Sequence, residues 1–259
     1  MPTKEATRKL TKPRAGSSSG GGRKYERVLL KLSGESFCKP GGFGIGADEL
    51  HWIAGEIRDA SKLGTQIAVV VGGGNIIRGA QLAEAGHIHQ ATADQMGMLG
   101  TVINALALKE KLKELGIECR VMSAIEIRAV AEPFIRGRAL RHMEKGRVVI
   151  LAAGTGNPFF TTDTCAALRA TELECDILLK ATKVDGVYTA DPKKDPTAKK
   201  FETLSFADAL AKQLKVMDMT ALAMCQEHEI PVLVFDFNKS GNIAKVIRGD
   251  RVGTLVTVR

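Results

Sequence analysis

Aromatic residues are scarce, 5% of the 259 residues with a single tryptophan, Trp52. That scarcity argues against a nucleic-acid binder that stacks bases on surface rings. The five cysteines, Cys38, Cys119, Cys165, Cys175 and Cys225, are odd in number and form no CxxC pair. They read as free thiols in a reducing cytosol, which implies a cytoplasmic protein. Histidines number five, and His87 and His89 have no third ligand close by, so they point to a polar surface loop and not to a protein metal site. No apolar run approaches the ~20 residues that span a bilayer, so no membrane partner is expected. A GxxxxGK[ST] loop is absent, which disfavours P-loop kinases.

Acidic residues are rare at the start of the chain. Residues 1–27 hold eight Lys or Arg against two acids, a net +6 of the chain's formal +8. The rest is close to neutral, so the basic balance describes a tail and not a nucleic-acid-binding face. The tail contains Gly16-Ser17-Ser18-Ser19-Gly20-Gly21-Gly22, a composition that cannot offset its ordering entropy. It has no apolar core of a secretory signal. Residues 1–24 are therefore expected to be a disordered basic Gly/Ser-rich extension, and residues 25–259 a single domain.

What is present is alternation. Short apolar runs at Val28–Leu32, Ile67–Val71, Cys119–Met122, Val148–Ala153, Ile177–Leu179 and Val232–Phe235 read as buried strands. Between them, Asp48–Leu63, Asp94–Leu115, Thr162–Leu173 and Val216–His228 read as helices. This order predicts an α/β three-layer sandwich, a mainly parallel sheet with helices on both faces. Thr254–Val258 is expected as an antiparallel edge strand. Asp94 is placed to cap the long helix. That helix is apolar nearly all round in its first half, which points to a central position or a subunit contact with Gly97 and Gly100 allowing close approach, and so to a homo-oligomer.

Four segments carry candidate chemistry, each just after a strand, where α/β folds place ligands. Lys31-Leu32-Ser33-Gly34-Glu35 offers a turn of backbone N–H groups beside an ammonium group, suited to phosphate. Gly72-Gly73-Gly74 followed by Arg78 offers close backbone approach and a bidentate phosphate contact. Gly154 to Asp163 (GTGNPFFTTD) combines glycines, an Asn-Pro turn, two phenylalanines and two threonines. Its rings either pack on a base or dock into the core. Leu179 to Pro192 begins with Lys180 at a buried strand end, which is costly unless an anion compensates it. Asp163 either holds the lysines or caps a helix.

In this order the motifs LLKLSGE, VVVGGGNIIRG, AGTGNPFFTTD, LLKATKVDGVYTADP and LKVMDMTA resemble the amino-acid kinase superfamily, and most closely its bacterial-type UMP kinase branch, from about Tyr25 to Val258. The resemblance implies a nucleoside monophosphate kinase that moves the γ-phosphoryl group of ATP to UMP, giving UDP and ADP, in de novo pyrimidine nucleotide synthesis. It implies catalytic roles for Lys31, Lys180 and Asp163. It implies ATP contacts at Lys31, Leu32, Ser33, Gly34, Gly74, Arg78, Thr182, Tyr188 and Asp191. UMP would meet Gly73, Asp94, Thr155, Gly156, Asn157, Pro158, Phe159, Phe160, Thr161 and Thr162. Mg2+ would enter with ATP. The resemblance also implies a hexamer, GTP activation and UTP inhibition, with Gly41, Gly42, Phe43 and Gly44 in the effector-responsive stretch. The segment before Asp94 runs one residue longer than the family pattern. A carboxylate or carbamate kinase, disfavoured by GTGNPFFTTD, and a nucleotide-binding protein without turnover are the competing readings.

Overall fold

The computed structural model describes residues 22–258 apart from 85, 87 and 193. Most of the expected N-terminal extension, and His87, therefore lie outside the described residues. Among the described residues nine strands form one sheet and eight α-helices flank it; the strands are β1 Arg27–Leu32, β2 Gln66–Val71, β3 Cys119–Ser123, β4 Glu132–Pro133, β5 Val148–Ala152, β6 Ile177–Thr182, β7 Thr203–Ser205, β8 Val232–Asp236 and β9 Thr254–Thr257. Their spatial order is β4-β3-β5-β2-β1-β6-β8-β9-β7. Every pairing is parallel except that of β8 with β9.

The α-helices are α1 Ala47–Ser61, α2 Gly79–Glu84, α3 Gln90–Glu114, α4 Arg136–Glu144, α5 Thr162–Glu172, α6 Phe206–Ala211, α7 Met219–Glu227 and α8 Asn242–Arg248. Strand alternation sorts the core into two layers. On one face Leu30, Leu32 and Leu179 pack with Ile53 and Ile57 of α1, Leu108 and Leu112 of α3 and Ile247 of α8. On the other, Leu29 and Leu178 pack with Met143 of α4, Ala166 of α5, Phe206 of α6 and Leu222 of α7. This is the three-layer α/β sandwich expected.

Two expectations are corrected, the edge position of β9 and the start of α3, and the close approach at Gly100 is found within the chain. β9 pairs antiparallel with β8 as expected, but it is not an edge, because β7 pairs along its far side. α3 starts at Gln90, not at Asp94, and its cap is His89, whose Nδ1 accepts the Ala91 N–H at 3.3 Å. Gly100 makes its close approach within the chain: a Cβ there would sit 3.3 Å from the Gly73 carbonyl oxygen. α3 lies against the glycine turn after β2, while Leu99 and Ile103 on the same helix are exposed.

Candidate active site

The C-terminal ends of four adjacent strands, β5, β2, β1 and β6, converge on one place. Lys31 on β1 and Lys180 on β6 are register partners. Each lies two residues beyond a leucine of the α5-facing core, Leu29 and Leu178, so both ammonium groups point to the α5 layer.

α5 begins there. The Thr161 hydroxyl caps it, accepting the N–H groups of Asp163 and Thr164 at 3.0 and 3.2 Å. Asp163 in the first turn sits where the helix dipole favours negative charge. Its Oδ1 is 2.9 Å from Lys31 Nζ and its Oδ2 is 2.7 Å from Lys180 Nζ. Lys180 also donates to the Val216 carbonyl at 2.6 Å. Lys31 is held through Asp163 Oδ1.

The three side chains are only 10–15% exposed. Burial alone would raise the Asp163 carboxyl, but Lys31 and Lys180 outweigh it and hold the group below the ordinary carboxylate range. Burial pulls the Lys180 ammonium below the ordinary lysine range, with Lys31 adding to the pull and Asp163 resisting it. Asp163 is the anion that a lysine at a buried strand end requires, and the two ammonium groups beside it suit a phosphate.

The loop after β5 is folded tightly. Ala153, Gly154, Gly156 and Phe159 all have left-handed backbone, at φ 61°, 57°, 84° and 68°. For Ala153 and Phe159 that conformation costs about 1–2 kcal/mol each, so the surroundings must enforce it. Asp94 does so at Phe159, whose N–H donates to Asp94 Oδ2 at 2.8 Å, while Asp94 Oδ1 accepts from Gln90 Nε2 at 2.7 Å. The expected helix cap is thus a loop clamp.

The turn after β2 packs backbone to backbone. A Cβ on Gly73 would fall 2.5 Å from the Gly97 carbonyl oxygen, and one on Gly34 would fall 2.4 Å from the Gly74 nitrogen. Only glycine fits at either position.

Between these segments lies a cleft of about 340 Å³. Of the residues expected at ATP, Ser33, Gly34 and Gly74 line it; of those expected at UMP, Gly73, Asp94, Thr155, Phe160, Thr161 and Thr162 do. Leu32 is buried behind it, its carbonyl accepting the Gly72 N–H at 2.9 Å. Gly156, Asn157, Pro158 and Phe159 form the outer part of the loop, with Phe159 70% exposed. The two rings do not dock into the core, since Phe160 is 51% exposed.

Six residues expected at ATP are not in the cleft's lining: Leu32 behind it, Lys31, which is paired with Asp163, and four others, Arg78, Thr182, Tyr188 and Asp191. Arg78 is exposed and paired with Glu35 at 3.1 Å, and Glu35 also reaches Lys183 at 3.3 Å. Thr182 borders a neighbouring cavity of about 370 Å³ that shares Glu35 as a wall. Tyr188 donates its hydroxyl to Asp185 at 2.6 Å, and the Asp191 carbonyl accepts the Lys194 N–H at 2.9 Å. In the glycine stretch 41–44, Phe43 is 78% exposed and Gly44 is tied to Asn75, its N–H donating to the Asn75 carbonyl at 2.8 Å and its carbonyl accepting from Nδ2 at 2.7 Å.

One residue at the site was not singled out from sequence. Asp218 caps α7 through the Ala221 N–H at 2.9 Å and accepts the hydroxyls of Thr161 and Thr164. It braces the start of α5 from the opposite helix. Its only sequence signal is its place in LKVMDMTA, at the start of an apolar helical run.

Anion-binding turns on β1 and β2, a lysine pair bridged by an aspartate and a cleft beside them define a phosphoryl-transfer type of site on a mainly parallel α/β sheet. The sequence pattern of the amino acid kinase family matches residues 26–236, and the chain belongs to that family. Solved structures give it closer company. A UMP kinase of Bacillus anthracis is 41% identical, with 90% of this chain and 96% of that one covered at a TM-score of 0.88. A UMP kinase of Ureaplasma parvum is 39% identical, covering 90% and 98% at 0.83. A uridylate kinase of Archaeoglobus fulgidus is 28% identical, covering 88% and 99% at 0.69. Among the described residues, no helix is long and apolar enough to cross a membrane.

Proposed function

We propose that this protein transfers the γ-phosphoryl group of ATP to UMP, yielding UDP and ADP, as a step in pyrimidine nucleotide synthesis. The observation that carries the reading is the junction at Thr161–Asp163. Thr161 and Thr162 line the cleft, and the next residue, Asp163, holds both Lys31 and Lys180. Acceptor recognition and charge neutralisation are thereby joined by a single peptide. The similarity to UMP kinases over nine-tenths of the chain supports the choice of acceptor.

UMP needs little activation, because its phosphate oxygens are ionised at neutral pH. The chain's work is in-line positioning and neutralisation of charge on the transferring group. Lys31 and Lys180 supply the charge, Ser33, Gly34 and Gly74 hold the ATP phosphates, and Gly73, Asp94 and residues 155–162 hold UMP. Arg78 joins the phosphates after exchanging Glu35 for them, and Thr182, Tyr188 and Asp191 take the ATP nucleoside. ATP would bring Mg2+, which would supply further neutralisation of its phosphates. Among the described residues no group of three His, Cys, Asp or Glu gathers as a ligand set, and Asp163 is engaged by two lysines.

The exposed Leu99 and Ile103 on α3 support assembly of identical chains, which we read as a hexamer with GTP activation and UTP inhibition felt at Gly41–Gly44. Five buried free thiols fit a cytoplasmic enzyme. Residues 1–24 are an extension of a single catalytic domain, 25–259, and bind no nucleic acid.

Coupled ADP release with UMP, CMP, aspartate or glutamate as acceptor, with and without GTP, tests the reading. Turnover with UMP well above the others is expected. Preference for an amino-acid acceptor, or ATP binding without UMP turnover, would overturn it.

A further inference from the structure

One face of α3 holds two buried polar side chains three residues apart, hence on the same side of the helix. Thr101 is 3% exposed and Asn104 is fully buried. Such groups are tolerated in a core only when hydrogen-bonded, and each of these bonds outside its own helix.

The Thr101 hydroxyl donates to the Met98 carbonyl one turn back, which orients its oxygen, and accepts the Ala153 N–H at 2.7 Å. Asn104 Nδ2 donates to the Gly72 carbonyl at 2.8 Å and to Asn75 Oδ1 at 2.6 Å. Asn75 returns a bond to Asn104 Oδ1 at 3.0 Å. One turn of a single helix therefore grips both the first residue of the glycine turn and the residue that opens the loop after β5. Ala153 is the left-handed, non-glycine position at the root of that loop, so its N–H direction decides where Thr155 and the residues after it stand. Between the two grips, the α3 backbone meets Gly73 with no room for a Cβ.

We propose that Thr101 and Asn104 are positioning residues that set the spacing between the glycine turn after β2, which carries Gly74 for ATP and Gly73 for UMP, and the acceptor loop after β5. The inference rests on assigning those segments to ATP and UMP as above. Thr101 borders the cleft but is 3% exposed, and its hydroxyl is turned away to the Met98 carbonyl and the Ala153 N–H, so that group acts through Ala153, while Asn104 acts through Gly72 and Asn75. Transfer requires the reacting atoms about 3–3.5 Å apart in line, and a misplacement of about 1 Å costs on the order of a hundredfold in rate. A helix that fixes both partners controls the rate without contributing to the affinity of either nucleotide.

The test is Thr101→Val, which keeps the side-chain shape and removes the acceptor, beside Thr101→Ser, which restores it. Thr101→Val is expected to lower kcat by about tenfold to a hundredfold, with the KM for ATP and UMP and the equilibrium Kd for UMP each within about twofold of wild type. Thr101→Ser is expected to recover kcat to within about threefold. Unchanged kcat in Thr101→Val, a loss confined to KM, or failure of serine to rescue would each overturn the proposal. If Thr101→Val does not fold, Asn104→Ser, too short to reach Gly72, applies the same test from the other grip, and wild-type kcat there would overturn it. A wild-type protein without UMP turnover would instead sink the functional reading itself.

Discussion

Lys31 and Lys180 stand side by side on parallel strands with one carboxylate, that of Asp163, between their ammonium groups. Asp218 adds a second, more distant negative charge on the Lys180 side. Both ammonium groups are largely shielded from water at the strand ends, where a phosphoryl group would meet them. Three predictions follow from this site, beyond the tests already given.

Lys180 is held at two points, by Asp163 and by the Val216 carbonyl. Its ammonium is thus held in place before substrate arrives. Lys180→Ala is expected to lower turnover by about a hundredfold or more, as removal of a single preorganised charge does elsewhere, with the far-UV circular dichroism unchanged. A near-wild-type rate would remove Lys180 from the chemistry.

The pH dependence has two limbs of different origin. Asp163 has its folded pKa depressed, so its contribution to stability is present above the unfolded carboxylate value of about 3.9 and is lost as pH falls through the lower folded value. Denaturant midpoints should therefore fall below about pH 4 in the wild type and less steeply in Asp163→Asn. That variant should already be destabilised by about 3–5 kcal/mol at neutral pH, since it leaves two buried cations unpaired. Lys180 also has a depressed pKa in the folded protein, and the chemistry needs its charged form. The kcat/KM for ATP should therefore decline on the alkaline side at a pH below the ordinary lysine value of about 10.4. Stopped assays across pH 7–11 would show it, and a limb at or above that value would count against the assignment.

Asp94 meets the backbone N–H of Phe159, which follows it by 65 residues. Removing a charged acceptor from a hydrogen bond costs roughly 1.5–3 kcal/mol. Asp94→Ala should raise the KM for UMP by about tenfold or more while leaving the KM for ATP within about twofold, because the clamp acts on the acceptor loop alone. Equal effects on both nucleotides in steady-state titrations would show that Asp94 supports the cleft as a whole.

Much of this architecture is legible in the sequence. Strands buried on both faces in a parallel sheet read as continuous apolar runs, which is why β1, β2, β5 and β6 stand out. β4 and β7 do not, being two and three residues long. α4, with the sequence RGRALRHME, is amphipathic but buries only Ala139 and Met143, too few apolar residues to stand out among its charges. The four ligand turns are legible because each follows a strand. The partners of Asp94 and Asp218 are not, because their bonds join segments 65 and 54 or more residues apart, and no local pattern encodes such a meeting. Asp94 resembles a helix cap in sequence only because the segment before it, which supplies the first turn of α3, lacks apolar periodicity.

The alternation along β6 has a consequence for how this chain tolerates changes in length. Leu178 faces one core, Leu179 the other, and Lys180 returns to the side of Leu178 and Asp163. A single residue inserted or deleted between Ile177 and Lys180 would turn the lysine toward α1 and α8, away from its aspartate, while exchanging the two leucines between cores. Selection on length in this strand is therefore a parity rule. Changes of one residue silence the chemistry and disturb both layers together, whereas β7, three residues at the rim, is bound by no such rule.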